Sequence, residues 1–476
     1  MRLRRAILPA VLAAGAVAAG AVAAVGEAGA TVDGAPVGGP TLTTPVLSAR
    51  RVPSVVAAPI ADRRLEADLA TWAEDVPAPA CALVVDPDGE VVLDHRAAEP
   101  LVPASTAKLL TAAAALEVLG PEHRFRTVVR ALAPVDGVVA GDLHLVGGGD
   151  PVLSTPDYLA RYRRQPQVHT DLTALAEAVE AAGVRRVDGR VVGDEGRYDR
   201  ARSVAGWPAR YLDQNQTGPL SALLVNDGFT QWPTPQRWRE LVATPDPAVH
   251  AAGALTRLLE ERGIEVAGDP AAGPAPAEAP ELAAIESPPL GEVVRQLLQE
   301  SDNTTAELLV KELGAAVGDP TTAGGLAVAR AALERLGLDL TGLDLRDGSG
   351  LSIDSRVPCR LLVDVLRHPE VGPLLAERLA VAGRSGTLAE AFVDTSLEEA
   401  LRAKTGSLRM VSALAGIVTD DDGTFTFAFV ANDDEHDGAL DEGPVRLAQA
   451  SLAQILLAWP QGPDLDALGP TPPREG

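Results

Sequence analysis

A chain of 476 residues is too long for one ordinary domain and suits two folded units with an export segment and tails. Its 46% apolar content with only 3% aromatic residues calls for a core of Ala, Val and Leu in a mixed α/β globule and excludes a disordered chain. A net charge of -25 excludes nucleic acid and anionic membrane surfaces as partners, because both would be repelled.

In chain order, Arg2, Arg4 and Arg5 precede an uncharged Ala/Val/Gly stretch over 6–26 and then Ala28-Gly29-Ala30. This is the pattern of a signal peptide over 1–30 with small residues at its cleavage site. The stretch is also long enough to remain as a membrane anchor, and either reading exports the body to the periplasm, cell wall or medium. No later segment is long and apolar enough to cross a bilayer. Residues 31–60, rich in Pro, Thr, Gly and Val without helical period, read as a linker.

Leu65, Leu69 and Trp72 predict a helix over 62–73, and strands over 82–85 and 90–94 flank the turn Asp86-Pro87-Asp88-Gly89. A helix over 105–119, apolar nearly all round and therefore buried, stops at Gly120-Pro121. From Phe125 the character changes to short β-like runs (138–146, 187–192) with helices over 172–182 and 248–261, so 125–270 reads as an inserted domain. The Pro/Ala/Gly-rich stretch 270–280 marks its exit. The first domain (61–124) then resumes over 281–460, with helices over 290–298, 304–313 and 327–336. A hairpin over 412–418 and 424–431 turns at 419–423, a final helix over 445–459 covers the sheet, and 461–476 reads as a disordered tail. Cys81 and Cys359 suit an oxidising compartment and could pair, although two separately buried thiols are the plainer expectation. No zinc-site spacing or H-E-x-x-H helix occurs, so neither a metal nor a cofactor is expected.

Lysine usage points to the chemistry. Of 41 basic residues only Lys108, Lys311 and Lys404 are lysine, and a position that keeps lysine against such a bias suits proton transfer that guanidinium cannot perform. Lys108 ends Ser105-Thr106-Ala107-Lys108, and Lys404 opens Lys404-Thr405-Gly406-Ser407. Three residues apart on a helix, Ser105 and Lys108 share a face, so the hydroxyl can be a nucleophile and the amine its base. Burial and a nearby cation at Lys404 would lower the pKa of Lys108. By itself such a four-letter match is often accidental. Ser301-Asp302-Asn303 opens the next helix; Ser301 or Asp302 could simply be an N-cap, or Ser301 could relay a proton to a leaving amine while Asn303 holds a substrate amide. Around Lys404 the plain reading is a strand end. The functional one is an edge to which an extended peptide adds, with Gly406 allowing close approach and Lys404 and Thr405 gripping a carboxylate.

The three motifs in this order resemble the D-alanyl-D-alanine carboxypeptidase/endopeptidase family of low-molecular-mass penicillin-binding proteins, the class with a domain inserted between the first two motifs. Residues 147–151 (Gly-Gly-Gly-Asp-Pro), 218–223, 347–352 (Asp-Gly-Ser-Gly-Leu-Ser) and 382–388 are similar to that family too. The resemblance implies a β-lactamase/transpeptidase-like domain, an antiparallel sheet covered by helices, plus an inserted α/β domain. It implies Ser105 as acylated nucleophile, Lys108 as base, Ser301 with Asn303 as the second-motif pair, and Lys404, Thr405 and Gly406 as substrate-binding residues. The N–H groups of Ser105 and Ser407 would form the oxyanion hole, and the partners would be peptidoglycan stem peptides and β-lactam antibiotics. Two departures stand out: the insertion is short for the family, and Ile353 occupies a position where many members carry Arg. A serine β-lactamase would share the motifs, but the Glu with Asn four residues later that speeds deacylation in class A enzymes is missing, since no Asn lies between Asn303 and Lys404. A non-catalytic wall-binding or penicillin-sensing module is the other alternative, and a peptide hydrolysis assay separates it.

Overall fold

The computed structural model describes residues 53–76, 79–161, 167–234, 240–433 and 440–460. The expected export segment, most of the expected linker and the tail after residue 460 lie outside the described residues. From Ala57 onward the chain forms one unit. Helix α1 (Pro53–Asp75) starts well before the expected Asp62, so 53–60 are helical rather than linker. Leu65, Leu69 and Trp72 are buried along one stripe of that helix, and the turns upstream of them continue it; Pro59 forfeits one backbone bond there. Strands β1 (Ala80–Val85) and β2 (Val91–His95) form the expected hairpin, and Asp86 Oδ1 accepts from Glu90 N at 2.8 Å to close its turn. Helix α2 (Lys108–Leu119) is buried from Lys108 to Leu116 and ends at Gly120, whose φ of 82° suits glycine.

The chain then builds a second sheet from β3 (Arg126–Arg130), β4 (Leu143–Val146), β5 (Val191–Asp194), β6 (Ala271–Ala272) and β7 (Glu281–Glu286), in the order β6-β5-β4-β3-β7. Helices α3 (Leu172–Ala181) and α4 (Pro247–Glu260) pack on it, and Val129, Leu143, Leu145 and Val191 meet Leu175, Val179 and Leu255 in a separate apolar cluster. Two expectations shift. The run 138–146 splits, because Val138–Val139 pairs with Arg186–Val187 in a smaller sheet while β4 joins the larger one. The stretch read as an exit linker carries β6, and β7 returns antiparallel to β3, so the sheet extends to residue 286. Only Ala283 is fully buried in β7, which leaves little alternation to announce a strand.

The longer helices that follow are α5 (Leu290–Glu300), α6 (Asn303–Ala315), α7 (Thr322–Arg335) and α8 (Cys359–Arg367). Strands β8 (Ala380–Val381), β9 (Leu401–Leu408), β10 (Val411–Asp420) and β11 (Gly423–Asn432) then complete the main sheet, antiparallel throughout in the order β8-β9-β10-β11-β1-β2. Period-two alternation sorts its side chains. Cys81, Leu83, Ala413, Ala415, Ala428 and Val430 face α2, α5 and α8, whereas Ala82, Val84, Leu414, Phe427 and Phe429 face α1 and the last helix, α9 (Glu442–Leu457). The result is the expected antiparallel sheet sandwiched by helices.

Cys81 and Cys359 are joined by a disulfide, with Cα atoms 6.0 Å apart, which corrects the expectation of two separate thiols. Both are wholly buried where β1 meets the start of α8. At a sequence separation of 278, nothing local could reveal the pairing.

Candidate active site

Ala104–Ala107 forms a 3₁₀ turn that runs into α2. With three residues per turn, positions i and i+3 stack, and Lys108 Nζ stands 2.9 Å from Ser105 Oγ. The residue before the serine is strained: Ala104 has a φ of 46°, uncommon without glycine. A Cβ on Gly350 would lie 1.8 Å from the Ala104 carbonyl, so the 347–352 loop packs directly against this turn.

Helix α5 ends at Glu300, and Ser301 turns the chain in the left-handed region at φ 59°. Asp302 caps α6, accepting from Thr305 N at 3.2 Å and Thr305 Oγ1 at 2.7 Å. Capping therefore belongs to Asp302, which leaves the side chains of Ser301 and Asn303 for the cleft. Asn303 Nδ2 donates to the Gln216 carbonyl at 2.9 Å, which orients the amide so that Oδ1 accepts from Lys108 Nζ at 2.7 Å. Ser301 Oγ accepts from Lys404 Nζ at 2.9 Å.

Lys404, Thr405, Gly406 and Ser407 lie on β9, paired on one side with β10. On the other side β8 pairs only with Arg402 and Ala403, so from Lys404 onward that edge has no strand neighbour among the described residues. A Cβ on Gly406 would lie 3.2 Å from Ser105 N and 3.0 Å from Pro103 O, so β9 passes directly beside the serine turn. Thr405 Oγ1 is 2.8 Å from Thr387 Oγ1, and Lys404 Nζ also donates to Thr405 O at 2.8 Å. Ser407 is exposed just beyond. Ser105, Lys108, Ser301, Asn303, Lys404, Thr405 and Gly406 thus come together at one cleft, although Lys108 and Asn303 are 195 residues apart in sequence.

Burial pushes the pKa of Lys108 down to about 8, against the pull of Asp347, Glu307 and Asp302, which raise it. The expected depression by the Lys404 cation is not the cause. The influence runs the other way, because Lys404, fully buried, is held well below the usual lysine range first by burial and then by Lys108.

Lys108 Nζ has a third partner, the Ser349 carbonyl at 2.7 Å. Asn303 Oδ1 and Ser349 O can only accept. A neutral amine must give both its N–H bonds to them, so its lone pair faces Ser105 Oγ, the one partner able to donate. The site therefore orients a base before substrate arrives.

Several contributors were not singled out individually from sequence. Gln216 and Ser349 act through backbone carbonyls, which carry no residue signature. Glu307 is fully buried and accepts from Ser349 N at 2.7 Å and Gly348 N at 3.1 Å. Asp347 accepts from Ser352 N at 2.6 Å, Gly350 N at 2.8 Å and Trp207 Nε1 at 2.8 Å. The Asp-Gly-Ser-Gly-Leu-Ser run is visible as a string, but its function as a carbonyl-presenting loop is visible only in space. Among the described residues no group of His, Cys, Asp and Glu could hold a metal ion.

A helix-covered antiparallel sheet, with a lysine-paired serine beside an open strand edge, has the architecture of the penicillin-binding serine peptidases. The chain belongs to the D-Ala-D-Ala carboxypeptidase 3 (S13) family, whose profile matches residues 65–238 and 233–451. It is 34% identical over 388 residues to carboxypeptidase DacB of Mycolicibacterium smegmatis, covering 78% of this chain and 79% of that one. To the D-alanyl-D-alanine carboxypeptidase of an Actinomadura species it is 32% identical over 446 residues, with the same shares covered. In fold it is similar to penicillin-binding protein 4 (dacB) from Haemophilus influenzae, with a TM-score of 0.67 at 21% identity over 82% of this chain and 99% of that one. It is a serine-type hydrolase of the D-alanyl-D-alanine carboxypeptidase kind.

Proposed function

We propose that the protein cleaves D-alanyl-D-alanine ends or cross-links of peptidoglycan stem peptides through an acyl-enzyme on Ser105, and that penicillin acylates the same residue. The observation that carries this is the placement of Lys108 Nζ against both Ser105 Oγ and Asn303 Oδ1, with Ser301 tied to Lys404 alongside. An extended peptide adds to the free edge of β9, its terminal carboxylate meeting the Lys404 ammonium and Thr405 hydroxyl. A bound carboxylate favours the charged form of Lys404. Ser105 Oγ attacks the carbonyl of the penultimate D-alanine while its proton passes to neutral Lys108. The oxyanion faces the N–H groups of Ser105 and Ser407. As the tetrahedral intermediate collapses, the C–N bond breaks and the leaving amine takes a proton through Ser301. Water then cleaves the ester by the reverse relay, restoring the serine.

The second sheet and its cluster are an inserted domain, from residue 125 to 286 on the strand pairing above. Residues 1–30 are an export signal, which puts the enzyme outside the cytoplasm with its wall substrate.

Intact mass measurement with and without benzylpenicillin tests the proposal. A single adduct on the wild type and none on Ser105→Ala is the expected result, and an adduct surviving on Ser105→Ala ends it. Steady nitrocefin turnover would make the protein a β-lactamase instead.

A further inference from the structure

We propose that Asp347, outside all three motifs, is the counter-ion and positioning residue of Lys108, setting the pH at which that amine becomes free to take the Ser105 proton. This rests on the assignment of Ser105 and Lys108 as nucleophile and base.

The charged groups facing Lys108 come from three elements. Asp347 lies on the loop after α7, Glu307 and Asp302 belong to α6 and its cap, and Lys404 comes from β9. Of the three carboxylates Asp347 acts most strongly on Lys108. Asp347 and Glu307 are both fully buried, and Asp347 disfavours charge on Glu307. Asp347 accepts from three fixed donors, including the Trp207 indole, while Glu307 is held by two backbone N–H groups and the Ser349 side chain. Burial raises both carboxyls, Glu307 to about 8, while the Trp207 indole, Ser352 N, Gly350 N and the Lys108 cation favour the charged form of Asp347.

The same carboxylate shapes the loop. By holding Gly350 N and Ser352 N, Asp347 curls 347–352 so that Ser349 O reaches Lys108 at 2.7 Å. Thr111 Oγ1 pins the neighbouring Gly348 carbonyl to α2 at 2.7 Å. Charge and geometry therefore act on the same amine. The indole that stabilises the charge comes from Trp207, in the inserted segment, so that segment contributes to the proton affinity of the base.

The test is the second-order rate of benzylpenicillin acylation against pH, followed by mass on the full chain. For Asp347→Asn the acid limb moves to lower pH by about 1 unit or more, because an opposing charge has been removed from beside the amine. At a pH below both midpoints, that shift raises the reactive fraction of Lys108 about tenfold relative to its plateau. Trp207→Phe keeps a ring in place and removes only the indole donor; it moves the limb in the same direction by less, and serves if the first variant does not fold. A limb that stays put in the folded variants, whatever happens to the plateau rate, overturns the inference, because a purely structural loop residue would scale the rate at every pH alike. If Lys108→Arg still acylates with the wild-type profile, the assignment of the base fails instead.

Discussion

All three lysines of the chain are completely buried, and each burial has its own compensation. Lys311 pairs with Asp199 and ties α6 to the segment 125–286, while Lys108 and Lys404 are spent on hydroxyls, an amide and carbonyls at the cleft. A buried ammonium gives up its proton more easily than a solvated one, which is the property a base for serine needs. Because the reactive form of Lys108 is the neutral one and its pKa is lowered to about 8, acylation should rise with pH through a midpoint near 8 and fall about tenfold per unit on the acid side. A pH–rate profile flat from 6 to 9 would contradict this. Lys108→Arg should fold, since its neighbours are acceptors that also satisfy a guanidinium, yet lose acylation by about 10²–10⁴-fold, because arginine cannot deprotonate. Circular dichroism beside the mass assay separates the two effects.

At the scale of elements, two short segments decide the cleft. A single 3₁₀ turn stacks Ser105 on Lys108, and the run 404–408 of β9 lies beside it with no strand on its outer edge among the described residues. Gly406 is the contact between them. Its missing Cβ leaves only enough room for Pro103 O and Ser105 N, so Gly406→Ala should push β9 off the serine turn by a few tenths of an ångström. We expect acylation slowed about tenfold or more, since small misplacements at a reacting centre are costly, with the melting temperature little changed. Unaltered acylation in Gly406→Ala would mean that β9 does not position the reacting carbonyl.

For the molecule as a whole, two long-range devices hold the site together. The disulfide from β1 to α8 closes a very long loop and pins a site-side helix to the sheet. Its loss through Cys359→Ser should cost about 2–4 kcal/mol, read as a lower denaturant midpoint, and a reductant should reproduce the loss in the wild type only. The second device is the segment 125–286, which sends Trp207 to Asp347, the Gln216 carbonyl to Asn303, and Gly218 N to Thr304 Oγ1 at 3.0 Å. Tyr211 Oη adds a bond to Leu351 O at 3.2 Å. These residues thereby brace both the second motif and the carbonyl-presenting loop.

Which residue types meet in the cleft was legible beforehand, because Ser-x-x-Lys, Ser-Asp-Asn and Lys-Thr-Gly each rely on spacing within one local element. The alternating β10–β11 hairpin and the apolar α2 were readable for the same reason: period and breakers are local properties of a chain. Tertiary structure alone decided the rest. It showed that Asp302 rather than Ser301 caps α6, that Cys81 finds Cys359, that β7 belongs to the second sheet, and that carboxylates, as well as Lys404, face Lys108. Each of these depends on groups far apart in sequence, or on backbone carbonyls and N–H groups that every residue carries alike. Burial, which lowers the affinity of Lys108 for its proton, likewise arises only once the helices close over it.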